Sequence, residues 1–137
     1  MKKILIIGIS VLVIAIIVSV VIVRKINYVD TSFATEVSLK YHYGDKKIDV
    51  IVTDEADIKI IKENFKGVSY RDYPACGFDL DTSITLSGGG KSIAFCPACD
   101  ECGVTVRIND SNRYINTKDW EALRKVLEKY DFTFPCV

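Results

Sequence analysis

The hydrophobic positions of this chain change pattern after residue 23. From Ile4 to Val23, twenty consecutive positions carry no charged side chain, and the basic residues Lys2, Lys3, Arg24 and Lys25 flank this run. A helix rises about 1.5 Å per residue, so a helical run of this length would measure about 30 Å, the thickness of the hydrocarbon core of a bilayer. The run therefore predicts an N-terminal transmembrane helix.

The predicted anchor comprises residues 1–25 and is expected to remain uncleaved. Its apolar run exceeds the roughly 7–15 residues of a secretory signal, and no small-residue cleavage site follows at residues 20–23. Basic residues before the first apolar segment favour a cytoplasmic N-terminus. The sequence thus predicts a single-pass cell-membrane protein that contacts the lipid bilayer through Ile4–Val23 and has its C-terminal domain outside the cytoplasm.

Beyond a mixed segment at residues 26–34, which we interpret as a linker, apolar and polar positions alternate. Alternation with a period of two predicts strands with one buried face, and the glycine-rich and asparagine-rich segments between them predict hairpin turns. Consecutive hairpins indicate an antiparallel sheet. The alternating segments are Val37–Tyr43, Ile48–Val52, Ile84–Leu86, Ile93–Phe95 and Val104–Ile108.

Two further segments repeat apolar residues every three or four positions, the period of a helix with one buried stripe. They are Ile58–Phe65 and Trp120–Tyr130. Residues 35–137 are therefore predicted to form an α+β domain with about six antiparallel strands, in the order ββα-ββββα, and two helices covering one face of the sheet. This order resembles in outline sheet-and-two-helix inhibitor modules such as the β-lactamase inhibitor protein, and also the TATA-binding-protein type of fold.

The charge balance bears on the partner of this domain. The chain has 18 basic and 18 acidic residues, and four of the basic ones flank the apolar run. The remaining chain therefore has 14 basic against 18 acidic residues, a net charge near −4. A mildly acidic domain without a basic stripe argues against a nucleic-acid partner.

All five cysteines lie in the second half of the chain, and three of them share a seven-residue segment. In an oxidising compartment, cysteines concentrated in a small domain predict disulfides. Cys96 and Cys102 flank a short loop between two predicted strands, whereas Cys76 and Cys136 would join the sheet to the C-terminus. The preferred pairing is Cys76 with Cys136 and Cys96 with Cys102, which leaves Cys99 as a free or reactive thiol.

Two alternatives give these cysteines another chemistry. In a reducing compartment, Cys96, Cys99 and Cys102, with Cys76 or Cys136 as the fourth ligand, would suit zinc, which takes four thiolates, and less well an iron–sulfur cluster. Cys96 and Cys99 also have the spacing of a thioredoxin-like redox pair, but a strand follows them where that chemistry needs a helix.

Aromatic residues near the cysteines complete the set of candidate functional residues. Tyr70, Tyr73 and Phe78 lie in a segment expected to be irregular, and tyrosine is favoured at protein interfaces. We expect this segment and the cysteine loop to form a binding edge. The favoured function is a membrane-anchored, extracytoplasmic binding or inhibitor-type module stabilised by disulfides, which has no cofactor and is not an enzyme. The alternatives are a zinc-binding or thiol-redox protein and a small assembly partner in a membrane complex.

Overall fold

The computed structural model describes residues 2–72, 75–79, 81–98 and 105–132, with side chains described throughout except at residues 2–6, 24–25 and 43. Helices and strands alternate irregularly along these ranges. Their bounds are α1 (Lys2–Asn27), β1 (Tyr28–Val29), β2 (Glu36–Tyr43), β3 (Lys46–Val52), α2 (Glu55–Asn64), β4 (Gly67–Val68), β5 (Tyr70–Arg71), β6 (Ser83–Gly88), β7 (Lys91–Pro97), β8 (Thr105–Ile108), β9 (Arg113–Asn116) and α3 (Trp120–Lys129).

Helix α1 contains the apolar run, and its large apolar side chains between Ile7 and Val23 are 48–63% exposed. Within the described residues, no helix combines the length and the hydropathy that crossing a membrane requires. For the chain as the structure describes it, the predicted transmembrane helix is wrong, and so is the single-pass localisation derived from it.

The segment interpreted as a linker, residues 26–34, lies against the domain. Strand β1 pairs with β4 in a small antiparallel sheet. Ser69 donates two hydrogen bonds to the carbonyl of Asn27, from its amide at 2.8 Å and from its hydroxyl at 2.7 Å. Thr31 is buried and donates to the carbonyl of Lys62 at 2.8 Å. These bonds attach the C-terminal end of α1 to the segment around α2.

The larger sheet has seven strands within the described residues, all antiparallel, in the order β3-β2-β6-β7-β8-β9-β5. The α+β class with an antiparallel sheet agrees with the prediction, but the count of about six strands is too low. The two strands that correspond to none of the five alternating segments are β5, with two residues, and β9, with four. Strands this short contain too few positions to show an alternating pattern.

The inner face of the sheet, which packs against α2 and α3, forms the hydrophobic core. It presents buried residues from the central strands, such as Leu39, Ile84 and Phe95, to Ile61 of α2 and Leu127 of α3. The ring of Phe65, just after α2, stacks on Phe95 with centroids 4.4 Å apart. Burying large apolar side chains from both layers supplies the main stabilisation of the domain.

Helices α2 and α3 are joined at both ends by polar contacts. Asp57 of α2 is only 2% exposed and accepts hydrogen bonds from Lys129 Nζ at 2.6 Å and from the Tyr130 hydroxyl at 3.0 Å. At the other end, the Asn64 side chain accepts from the backbone N–H of Asp119 at 2.8 Å. Asp119 itself caps α3 by accepting from the N–H of Ala122. The buried carboxylate therefore has partners, as a charge inside a protein requires.

Candidate functional site

The outer face of the sheet, which is turned away from the helices, carries a different set of side chains. Residues opposite each other in an antiparallel sheet point to the same side. Cys96 of β7 lies opposite Arg107 of β8, Arg107 lies opposite Tyr114 of β9, and Tyr114 lies opposite Tyr70 of β5. The pairing thus places a thiol, a guanidinium and two phenol rings in one row.

The row arises because each strand alternates between the two faces. On β7, Phe95 is buried in the core and Cys96 points to the other side; on β8, Val106 and Ile108 are buried on either side of Arg107. A single arginine between two core residues must point away from the core, since an unpaired charge is costly to bury there. The strand period therefore places Arg107 on the outer face.

Part of the irregular segment before β6 covers this row. The Phe78 ring lies 5.6 Å from the Tyr114 ring, and the guanidinium carbon of Arg107 lies 5.3 Å from the Phe78 centroid. The Cys96 thiol donates to the backbone carbonyl of Asp79 at 3.1 Å. A ring over a guanidinium is a cation–π contact, which holds the plane of the side chain while leaving its edge available for hydrogen bonds.

The aromatic side chains continue to the edge of the sheet. The rings of Tyr70 and Tyr114 have centroids 6.1 Å apart, and the Tyr70 hydroxyl lies 2.8 Å from the side-chain oxygen of Asn116. Tyr70 is 37% exposed. The row is therefore open to solvent at β5.

A cavity of about 420 Å³ adjoins Arg107 on the side of the row toward β6. We name it the Arg107 cavity. Its volume is within the range of small-ligand sites, roughly 300–1,000 Å³. Its lining consists of Thr82, Ser83, Ala94, Phe95, Cys96, Arg107, Asn109 and Asp110.

Asn109 shapes one end of the Arg107 cavity. Its φ of 50° lies in the left-handed region, which asparagine tolerates better than most residues. The Asn109 N–H donates to the carbonyl of Ala94 at 2.7 Å, and its side-chain oxygen accepts from the Ala94 N–H at 2.9 Å. These two bonds fix the turn that brings Asp110 beside Arg107.

The guanidinium of Arg107 is incompletely satisfied. Its side chain is only 16% exposed, and its Nε atom is buried without a hydrogen-bond partner in the structure. The nearest recorded charge is Asp110, whose Oδ1 lies 3.9 Å from Nη1 and whose side chain is 91% exposed. That separation is an ion-pair distance too long for a hydrogen bond, and a pair so exposed contributes little energy. A buried donor without an acceptor is uncommon in a folded protein.

The cysteines only partly match the prediction. Cys96 carries a reduced thiol that is 6% exposed, so the predicted Cys96–Cys102 bridge is wrong: the thiol bonds to the Asp79 carbonyl on the outer face. Cys76 and Cys96, the two cysteines within the described ranges, do not lie at disulfide distance from each other, so the described residues do not support the two-bridge framework. Cys76 is disulfide-bonded. Cys99, Cys102 and Cys136 lie outside the described residues.

The zinc alternative depends on the same cysteines. Across the part of the chain that the structure describes, no group of three His, Cys, Asp or Glu side chains is arranged to hold a metal ion. Because Cys99 and Cys102 are not among those residues, the alternative site formed by Cys96, Cys99, Cys102 and Cys76 stays a prediction.

Two of the three predicted binding residues converge in the structure. Tyr70 and Phe78 both contact the ring of Tyr114, and Tyr73 lies outside the described residues. The sequence analysis missed Arg107 and Tyr114. A charged residue between Val106 and Ile108 was a usable signal for Arg107, since it marks the outward position of a strand. Tyr114 had no such signal because β9 is too short to show a period.

Comparisons with known proteins identify no relative. No protein-family model, curated protein or solved structure matches this chain. A function can therefore be argued only from the residues and their geometry.

Proposed function

We propose that this protein is a binding module that recognises a protein partner through the outer face of its sheet around Arg107, by surface complementarity and without covalent chemistry. One observation carries the proposal: the mostly buried Arg107 guanidinium has an unsatisfied Nε and lies between a cavity and a row of aromatic rings. A partner that supplies an acceptor would bind the guanidinium from the cavity.

The composition of the surface supports recognition. Arginine and tyrosine are enriched among the residues that contribute most to the affinity of protein interfaces. Arg107 and Phe78 are already held by their mutual contact, and Tyr70 by its bond to Asn116. Side chains fixed before binding lose less conformational entropy when a partner docks, so the row is suited to binding.

The position of the row also supports this function. The described helices α2 and α3 occupy the inner face and contribute to its core, whereas the Phe78 segment packs over one part of the outer face. Elsewhere on that face, Ser38 and Thr85 are only partly buried by the described residues. A partner can therefore approach the cavity across this part of the face without displacing either of these helices.

An interaction experiment with the full-length chain tests the proposal. The chain, kept in a mild non-ionic detergent because the apolar side chains of α1 are exposed, is immobilised and used to capture partners from its native host. We compare wild type with Arg107→Gln and with the matched control Arg124→Gln, whose side chain pairs with Glu128 along α3.

The expected result is a protein captured by wild type and by Arg124→Gln, and captured at least about tenfold less by Arg107→Gln, since losing an interface arginine commonly costs more than about 1.4 kcal/mol. Equal capture by all three forms would show that the Arg107 surface is not the binding site. Circular dichroism of each variant confirms that the fold is retained.

A further inference from the structure

We infer that the Arg107 cavity takes a carboxylate group, supplied by the partner as the C-terminus of its chain. The inference rests on the proposed function, because it names the chemistry by which that same site recognises its partner. It is argued from the donors, the local charge and the shape of the cavity.

The donors of the cavity match a planar pair of oxygens. A guanidinium presents Nε–H and Nη–H in parallel, with a spacing that fits the two oxygens of one carboxylate. In Arg107, Nε is buried without a partner and Nη1 is only loosely paired with Asp110. The Phe78 ring on the guanidinium fixes its plane. A carboxylate bound in that plane would accept from Nη1, and it would reach the Nε donor once the groups that cover this atom move aside.

The local charge favours a single negative charge over two. Among the described residues that line the cavity, Arg107 is the one cationic side chain, and the carboxylate of Asp110 lies beside it. A phosphate carries close to two charges at neutral pH and would be repelled by Asp110, whereas a carboxylate carries one. Asp110 is 91% exposed and can turn toward water when the ligand arrives.

The other lining groups fit a small acidic moiety. Ser83 adds a hydroxyl, and Ala94 leaves space beside it. The Thr82 hydroxyl donates to the Asp79 side chain at 3.1 Å and so belongs to the loop. Within the described residues, the lining therefore has one fork-shaped donor, the polar side chains of Ser83, Asn109 and Asp110, and apolar surface at Ala94 and Phe95, which suits a small carboxylate.

Nuclear magnetic resonance tests this directly, because the Arg107 Nε–H gives its own signal in nitrogen-labelled full-length chain. The probes are N-acetylglycine, which mimics a chain terminus, its uncharged twin N-acetylglycinamide, acetate as a free small acid, and inorganic phosphate. The Nε–H signals of Arg113 and Arg124 serve as internal controls, since Arg113 donates to Ser69 and Arg124 pairs with Glu128.

The expected result is a saturable downfield shift of the Arg107 Nε–H with N-acetylglycine, a weaker one with acetate, and none with the amide twin. An equal or stronger response to acetate would reassign the site to free small acids. Saturation by phosphate alone, equal shifts with the amide, or no shift would each overturn the carboxylate inference.

Two variants examine the geometry. Arg107→Lys keeps the positive charge but lacks the two parallel donors of a guanidinium, and we expect it to weaken N-acetylglycine binding at least fivefold. Binding to this variant is measured from the backbone signals of Ala94 and Asn109. Ser83→Leu fills the cavity while leaving Arg107 in place, and is expected to reduce binding similarly. Unchanged binding in both variants would contradict the inference.

The outcomes separate this inference from the proposed function. If the cavity binds a carboxylate but Arg107→Gln captures the partner as well as wild type does, the carboxylate inference stands and the proposed partner-binding function is rejected. If Arg107→Gln no longer captures the partner but no carboxylate probe shifts the Arg107 signal, the proposed function stands and the carboxylate inference is rejected.

Discussion

The two faces of the seven-stranded sheet are built from alternate residues of the same strands, and they differ in how completely their groups are satisfied. On the inner face, Leu39, Ile84 and Phe95 have no exposed surface and pack against α2 and α3. On the outer face, Arg107 keeps an unpartnered Nε beside a cavity. Those three inner side chains leave no surface for a ligand, whereas Arg107 on the outer face adjoins a cavity.

Because successive residues of a strand point to opposite faces, one set of residues can stabilise the fold while the alternate set binds a partner. Apolar side chains that point inward contribute free energy of folding through burial. Side chains that point outward are released from that requirement, so a charged residue such as Arg107 can keep a donor for a partner. Substitutions on the two faces should therefore affect different measurements.

The largest effect is expected from Phe95→Ala on the inner face. It removes a fully buried ring that stacks on Phe65 at 4.4 Å and leaves a cavity between sheet and helix. We expect the free energy of unfolding to fall by about 3–5 kcal/mol, measured by urea denaturation. The matched control on the outer face of the same strand, Ala94→Ser, should change it by less than about 0.5 kcal/mol. Similar losses in both variants would remove the distinction between the faces.

The next largest effect is expected from Asp57→Ala in the helical layer. The substitution removes the acceptor of the Tyr130 hydroxyl and of Lys129 Nζ. We expect a loss of about 2 kcal/mol, mainly because the part-buried Tyr130 hydroxyl loses its acceptor. Lys125→Ala, at an exposed position of α3, is the control. A loss under about 0.5 kcal/mol would show that the two helices are held by apolar packing alone.

The same contacts make stability fall at alkaline pH. The hydrogen bond to Asp57 raises the pKa of Lys129 above 10.5, and burial, followed by the bond to Asp57, raises the pKa of Tyr130 above 10.0. Both groups hold their protons more tightly in the folded chain. Their contribution is therefore complete below about pH 10 and is lost as pH rises through the raised values.

Urea midpoints measured between about pH 9 and about pH 11.5 test this dependence. Wild type should lose stability across this window, and Asp57→Ala should lose less because part of the pKa shift is gone. A variant with the same alkaline slope as wild type would show that other groups cause the loss.

A smaller effect on stability is expected from Arg107→Gln. Because Nε has no partner and the ion pair with Asp110 is long, we expect a change of less than about 1 kcal/mol, chiefly from the lost contact with Phe78. The variant that most affects binding would thus be nearly neutral for folding. A loss above about 2 kcal/mol would assign Arg107 a structural role and weaken the comparison.

The smallest effect is expected from Tyr70→Phe, which keeps the ring contact with Tyr114 and removes only the exposed hydrogen bond to Asn116. The free energy of unfolding should fall by about 0.5 kcal/mol. Partner capture should fall by less than in Arg107→Gln. If Tyr70→Phe abolished capture, the centre of the site would lie at the edge of the sheet.

The local pattern of apolar and polar residues was sufficient to predict the longer helices and strands of the domain. The alternation in β2, β3, β6, β7 and β8 and the helical spacing in α2 and α3 led to the antiparallel α+β class, since both periods follow directly from backbone geometry. The apolar run at Ile4–Val23 was read as helical, and residues 2–27 do form a helix. The membrane-spanning interpretation of that helix is wrong for the described residues.

The cysteine pairing was beyond the reach of spacing arguments. Cys96 and Cys102 flank a short loop, yet the Cys96 thiol bonds to the carbonyl of Asp79, seventeen positions earlier. Position along the chain gives no information about which distant segment folds over a strand. The same holds for Phe78, which reaches Arg107 across twenty-nine positions.

The sequence by itself determined the inner face, because burial of apolar residues follows the period of each strand and helix. It also determined that Arg107 points outward, between Val106 and Ile108. Only the tertiary structure decided that Arg107, Cys96, Tyr114 and Phe78 meet beside one cavity. Strand order and loop placement bring them together, and these depend on the free energy of the whole packed domain, which no local pattern encodes.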